Sequence, residues 1–168
     1  MSARPLVFVV GTGRTGSTAL SRIFHLHPDI LSINELFSSA GGTNALPEGT
    51  LGGDDFWRIL STPNIVFDAM TANGTPLPEF LYPRVPGRRF SAETTGIPAI
   101  SLMVLPHLTD DPDALIDSLE PEVTTWPTRP VALHYEALFD LLSARFGGRV
   151  AVERSGHSLE WVPQLRAT

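Results

Sequence analysis

The chain has 168 residues, no cysteine and no lysine, and its 12 arginines against 18 acidic side chains leave a formal net charge of −6. That composition removes disulfides, thiolate metal sites and thiol nucleophiles, and it opposes general affinity for nucleic acid or anionic membrane, which needs clustered positive charge. The length suits a single domain over residues 1–168, since a domain of ~150 residues buries about 70% of its unfolded surface.

Leu6 to Val10 is short and rich in β-branched residues without alternation, which predicts a fully buried parallel strand. It runs into Gly11-Thr-Gly-Arg-Thr-Gly-Ser-Thr18, a glycine turn opening a helix. Gly11, Gly13 and Gly16 let the backbone fold tightly, and the unpaired N–H groups at the helix start point at any anion seated there. Arg14 adds a guanidinium, and Ser17 and Thr18 add hydroxyl donors. From Ser17 to Leu26 the apolar residues Ala19, Leu20, Ile23 and Phe24 share one helical face, and Pro28 stops the helix. Ile30 to Ile33 predicts the next strand, delivering Glu35 just past its C-terminal end, the edge where ligands sit in open α/β sheets.

Residues 38–53 contain glycine pairs and Pro47, the composition of a mobile loop or lid. Asp54 is the predicted N-cap of a short helix to about Leu60. Residues 71–98 are rich in Pro and Gly and show no sustained period, so loops and short helices are expected there. The whole stretch 38–130 reads as an irregular insert shaping an acceptor pocket. Asp111-Pro112 starts a helix to about Leu119. A longer one runs from near Pro130 to Phe146, turning Leu138, Leu141, Leu142 and Phe146 inward and stopping at Gly147-Gly148. Val150 to Val152 returns as a strand. No apolar run approaches the ~18 residues of a spanning helix, and the N-terminus lacks a signal-peptide pattern, so a soluble cytoplasmic protein without a membrane span is expected.

Three classes of protein use such a strand, turn and helix. Nucleoside triphosphatases place a lysine directly after the last glycine; here that residue is Ser17. A dinucleotide site is the stronger rival, because Gly11, Gly13 and Gly16 match G-x-G-x-x-G and Glu35 lies about where an acidic residue would bind a ribose hydroxyl. Against it, Arg14 and two successive hydroxyls suit a compact, highly charged phosphate group, and a Gly/Ser/Pro-rich stretch follows Glu35 in place of a second strand and helix.

The third class is a resemblance. Gly11 to Thr18, the helix, His27-Pro28-Asp29 and Glu35 resemble the sulfotransferases that use 3′-phosphoadenosine 5′-phosphosulfate, in the branch of tyrosylprotein and carbohydrate sulfotransferases. A second segment, Arg149 to Leu165, is similar to the family's strand that ends in a basic residue followed by a helix. The resemblance implies a P-loop-like three-layer α/β sandwich with a mostly parallel sheet. It implies that the turn from Thr12 through Gly13, Arg14, Thr15, Gly16, Ser17 and Thr18 holds the 5′-phosphosulfate. Glu35 would be the general base, Arg154 would reach the transferring sulfuryl group, and Ser155 would contact the nucleotide. No metal is needed. The family's later arginine and serine, which grip the 3′-phosphate, have no counterpart here, so the chain reads as the N-terminal part of such an enzyme.

The expected activity is sulfuryl transfer to a hydroxyl of a small molecule, sugar or peptide. A non-catalytic nucleotide- or anion-binding module, or an incomplete subunit that pairs with another subunit to complete the 3′-phosphate site, is the alternative. A nicotinamide-dependent oxidoreductase is the third reading.

Overall fold

The computed structural model describes residues 5–12, 16–41 and 44–166. In chain order the elements are β1 (Leu6–Val10), α1 (Ser17–His25), β2 (Ile30–Asn34), α2 (Leu36–Ala40), β3 (Thr50–Leu51), α3 (Gly53–Ser61) and α4 (Ile65–Ala72). There follow α5 (Ala99–Met103), α6 (Leu105–Leu108), α7 (Pro112–Val123), β4 (Arg129–Pro130), α8 (Val131–Phe146), β5 (Val150–Ser155), a 3-10 turn (Ser158–Trp161) and α9 (Val162–Leu165).

The result is an α/β fold on a small parallel sheet in the order β1-β5-β2, with β3 and β4 forming a separate antiparallel pair. The register aligns Val9, Arg154 and Asn34 across the three parallel strands, and Phe8, Glu153 and Ile33 one step earlier. Because side chains alternate along a strand, this puts Asn34, Ser32 and Arg154 on the face that α1 covers, where Ser21 bonds Ser32 and Asn34. The other face carries Leu31, Ile33, Ala151 and Glu153 toward α2 and α8. There Phe8 meets Phe37 at 5.9 Å and Phe37 meets Tyr135 edge-on at 5.0 Å.

That second face is the main core. Leu36, Phe37, Phe56, Leu60, Tyr135, Leu138 and Leu142 are all buried in one cluster with β2 and β5, each contributing roughly 1.5–3 kcal/mol of apolar burial. A smaller cluster of Phe80, Tyr82, Ile97, Leu102 and Met103 anchors the segment between α4 and α5.

Several sequence expectations are corrected. β1 is an edge strand with Val7 and Val10 exposed, because among the described residues β5 is its only neighbour in the sheet. The apolar stripe of α1 is only partly what packs: Ser21 is buried on the sheet and Phe24 is half-buried, while Ala19, Leu20 and Ile23 face solvent. Within 38–53 the chain forms the end of α2 and β3, and α3 is entered from Gly52 instead of Asp54. A side chain at Gly53 would come within 2.2 Å of the Val123 carbonyl, so the close approach of α3 to the end of α7 requires glycine there. α4 has its own N-cap, the Asn64 side chain accepting from the N–H groups of Val66 and Phe67 at 3.2 and 3.3 Å. Asp111 caps α7 as expected, accepting from Ala114 N–H at 3.1 Å, but the helix continues through Pro121 to Val123. In α8, Leu138 and Leu142 point inward while Phe146 is 40% exposed. β5 extends three residues beyond Val152, and that extension carries the site.

Candidate active site

Glu35 follows the last residue of β2 directly, and its backbone is left-handed, with φ 55° and ψ 29°. A non-glycine residue there stores about 1–3 kcal/mol and persists only where its surroundings fix it. Three hydrogen bonds and an ion pair do so. Its N–H donates to the Arg154 carbonyl at 2.7 Å, and its carbonyl accepts from Ser39 N–H at 2.8 Å. Oε2 accepts from Gly156 N–H at 2.8 Å, and Oε1 pairs with Arg154 Nη1. Both side chains are almost fully buried, at 4% exposure for Arg154 and 10% for Glu35. The residue after Gly156, His157, is left-handed as well, with φ 57°. The C-terminal ends of two neighbouring parallel strands thus both leave the sheet through strained turns, which face each other.

The short helix α2 has its leading N–H groups consumed from β5. Leu36 N–H donates to Glu153 Oε1 at 3.2 Å, and the N–H groups of Phe37 and Ser38 donate to Ser155 Oγ at 3.0 and 3.3 Å. Ser155 also donates to Glu153 at 2.5 Å. Ser155, a residue expected to touch the nucleotide, therefore serves as a cap and is 1% exposed. Burial pushes the Glu153 carboxyl up to about 8, and the nearby Glu35 adds to the rise.

On the α1 face of the sheet, Asn34 joins three elements. Its Oδ1 accepts from Ser21 Oγ and from Arg154 Nη2, the latter at 3.5 Å. Its amide nitrogen is 3.0 Å from His107 Nε2. With Oδ1 turned to two donors, Nδ2 donates to His107, and the imidazole proton sits on Nδ1. Burial, then the neighbouring His25 and Arg154, push His107 down to about 4, so the ring is neutral at pH 7. The His25 ring lies 4.8 Å from it, centroid to centroid.

Thr18, Arg22, Asn34, Glu35, His107 and Arg154 line one cavity of about 140 Å³. Two of the expected site residues, Glu35 and Arg154, are in direct contact, and a third, Thr18, shares their cavity. Gly16 caps α1 with φ 79°, its carbonyl accepting from Ala19 N–H at 3.0 Å. Thr12 is exposed at the start of the turn. Gly11 N–H donates to Ser158 Oγ at 3.2 Å and Ser158 donates to the Ser155 carbonyl at 2.6 Å, tying the first turn to the end of β5. Gly13, Arg14 and Thr15 and the side chain of Ser17 lie outside the described residues.

Sequence reasoning passed over Asn34, Arg22 and His107. Asn34 had a signal, since a polar residue directly before Glu35 on a buried strand needs a partner. Arg22 follows Thr18 by one helical turn and shares its side of α1. His107 had none, lying in a region without period.

The site and fold together define an α/β protein with a charged crevice at the C-terminal edge of a parallel sheet. No family model matches the chain, no curated protein matches it, and no solved structure matches it. No helix among the described residues is long and apolar enough to cross a membrane.

Proposed function

We propose that this chain is a P-loop-like sulfotransferase that binds 3′-phosphoadenosine 5′-phosphosulfate and passes its sulfuryl group to a hydroxyl. The observation that carries the reading is the contact between Glu35 and Arg154 at the ends of adjacent parallel strands, in one cavity with Thr18 of the helix that follows the glycine turn. Ligands of open α/β sheets bind at that edge. Sulfuryl transfer resembles phosphoryl transfer, in which charge spreads over equatorial and bridging oxygens and catalysis is mostly positioning and electrostatic stabilisation. Arg154 is a buried cation suited to that charge. Thr18 and the N–H groups opening α1, with Arg14, would hold the 5′-phosphosulfate, and Glu35 is the base that the resemblance implies.

A dinucleotide site would need Glu35 to present its carboxylate to a ribose. Here that carboxylate is committed to Arg154 and Gly156, which favours the phosphosulfate reading. The same commitment also favours the second reading, a non-catalytic anion-binding module, because a base must accept a proton from the acceptor. A thermal-shift screen separates the classes. Saturating 3′,5′-adenosine bisphosphate should raise the melting temperature, a ligand at 100 times its Kd adding about 2.7 kcal/mol, while NAD(P) should leave it unchanged. Protection by NAD(P) alone would overturn the proposal.

A further inference from the structure

We infer that the acceptor's proton goes to Glu79 and that Glu35 serves to hold Arg154; this rests on the sulfotransferase reading and reassigns one role within it. Glu35 has one carboxylate oxygen on a buried guanidinium and the other on a backbone N–H. Its backbone is fixed at both ends, so it cannot swing toward a substrate without breaking the contacts that hold its left-handed turn. Glu79 lines the same cavity, from the segment between α4 and α5. It is half-buried, and its one partner among the described residues is the Thr18 hydroxyl, at a long 3.4 Å.

Neighbouring residues fix where Glu79 stands. Phe80 is buried in the smaller core and its N–H donates to the Leu77 carbonyl at 3.0 Å. Leu81 and Tyr82 both donate backbone N–H groups to the Leu102 carbonyl, at 3.0 and 3.1 Å. The Glu79 carboxylate is thereby presented to α1 beside Thr18, a hydroxyl read as a contact of the transferring group. An acceptor hydroxyl entering this cavity finds in Glu79 a carboxylate that no cation among the described residues holds. Leu81 and Met103 supply an apolar flank to the same cavity.

The other charged and titratable groups of the cavity are accounted for. Arg22, on α1, forms no ion pair among the described residues and stands with Arg154 as a cation for the donor's oxygens. His107, on α6, is neutral, and the lone pair of its Nε2 already accepts from Asn34, so the ring is not the base. In the step itself the acceptor oxygen forms a bond to sulfur as its proton passes to a Glu79 carboxylate oxygen. The bond from sulfur to the bridging oxygen breaks, and its electron pair leaves on the 5′-phosphate of adenosine 3′,5′-bisphosphate.

The test compares wild type, Glu79→Gln, Glu79→Asp and Glu35→Gln for affinity toward 3′,5′-adenosine bisphosphate and for the pH profile of sulfuryl transfer to a phenol and to a sugar alcohol. Glu79→Gln should lower kcat by ~100-fold or more, the lower range for loss of a general base, abolish the acid limb of the profile, and change nucleotide affinity less than ~2-fold. Glu79→Asp should restore part of the rate, and Glu35→Gln should weaken nucleotide binding. A Glu79→Gln variant with wild-type kcat and acid limb, or a folded Glu35→Gln variant that alone loses that limb, overturns the assignment. If the wild type neither binds the nucleotide nor turns over the phosphosulfate, the sulfotransferase reading falls and this role falls with it, a result distinguishable from the other two by the silence of every variant.

Discussion

Glu35 and Arg154, 119 residues apart in the chain, form a buried ion pair across the C-terminal ends of β2 and β5. The pair holds a left-handed backbone in place and also lines the cavity.

Removing one member leaves a buried charge uncompensated, which costs about 3–5 kcal/mol, whereas replacing both is far milder. Arg154→Ala should therefore unfold at markedly lower denaturant than wild type, and Arg154→Met combined with Glu35→Leu should recover most of the loss. Chemical denaturation read by circular dichroism measures both. Equal midpoints for wild type and Arg154→Ala would contradict the buried pair.

Glu153 faces the core beneath α2, and burial raises its carboxyl from 4.5 to about 8. A raised folded pKa means the native state holds a proton that the unfolded chain has lost, so the stabilisation is complete below pH ~4.5 and is lost as pH rises through ~8. Glu153→Gln keeps the shape without the titration. Its stability relative to wild type should increase between pH 5 and 8, by on the order of a few kcal/mol, and level off above that range. Parallel stability curves for the two proteins would rule out a buried neutral acid.

His107 behaves in the opposite sense, because its folded pKa is depressed from 6.5 to about 4. Its contribution is present above pH ~6.5 and is lost as pH falls through ~4. Glutamine at this position can still accept from Asn34 without taking up a proton. The stability difference between wild type and His107→Gln should therefore shift against wild type on acidification across that window. A difference independent of pH would show that the imidazole is not buried as described.

Much of this framework was legible in the residues. β-branched runs marked β1, β2 and β5, Asp111 before Pro112 marked α7, and Gly147 marked the end of α8, because each signal is local chemistry acting on its own backbone. Burial on α1 was misread for a physical reason. A helix with a strong apolar stripe ordinarily buries it, but here the sheet face under α1 carries Ser32, Asn34 and Arg154, so the hydroxyl of Ser21 packs inward and Leu20, Ile23 and Leu26 remain outside. Glu35 was placed from its position just past a predicted strand and Arg154 from the family resemblance, yet their contact depends on register, which no local rule supplies. Glu79 and His107 reach the cavity through tertiary packing of a segment without period.

Gly53 tests the packing of the insert. A methyl group there would meet backbone atoms of Val123, Trp126 and Thr124 at 2.2, 2.7 and 2.8 Å, none of which can move without shifting α7. Gly53→Ala should cost at least ~2 kcal/mol, within the range for overpacking, and lower the thermal midpoint by several degrees. An unchanged midpoint would mean that α3 and α7 do not approach as closely as described.

The most direct measurement is calorimetric titration of 3′,5′-adenosine bisphosphate into the wild-type chain and into Arg14→Ala. A guanidinium bonded to the nucleotide's phosphate contributes about 1.5–3 kcal/mol, so the wild type should bind and the variant should bind at least ~10-fold more weakly. Equal affinities, or no heat of binding from the wild type, would contradict a phosphosulfate nucleotide held by the glycine turn.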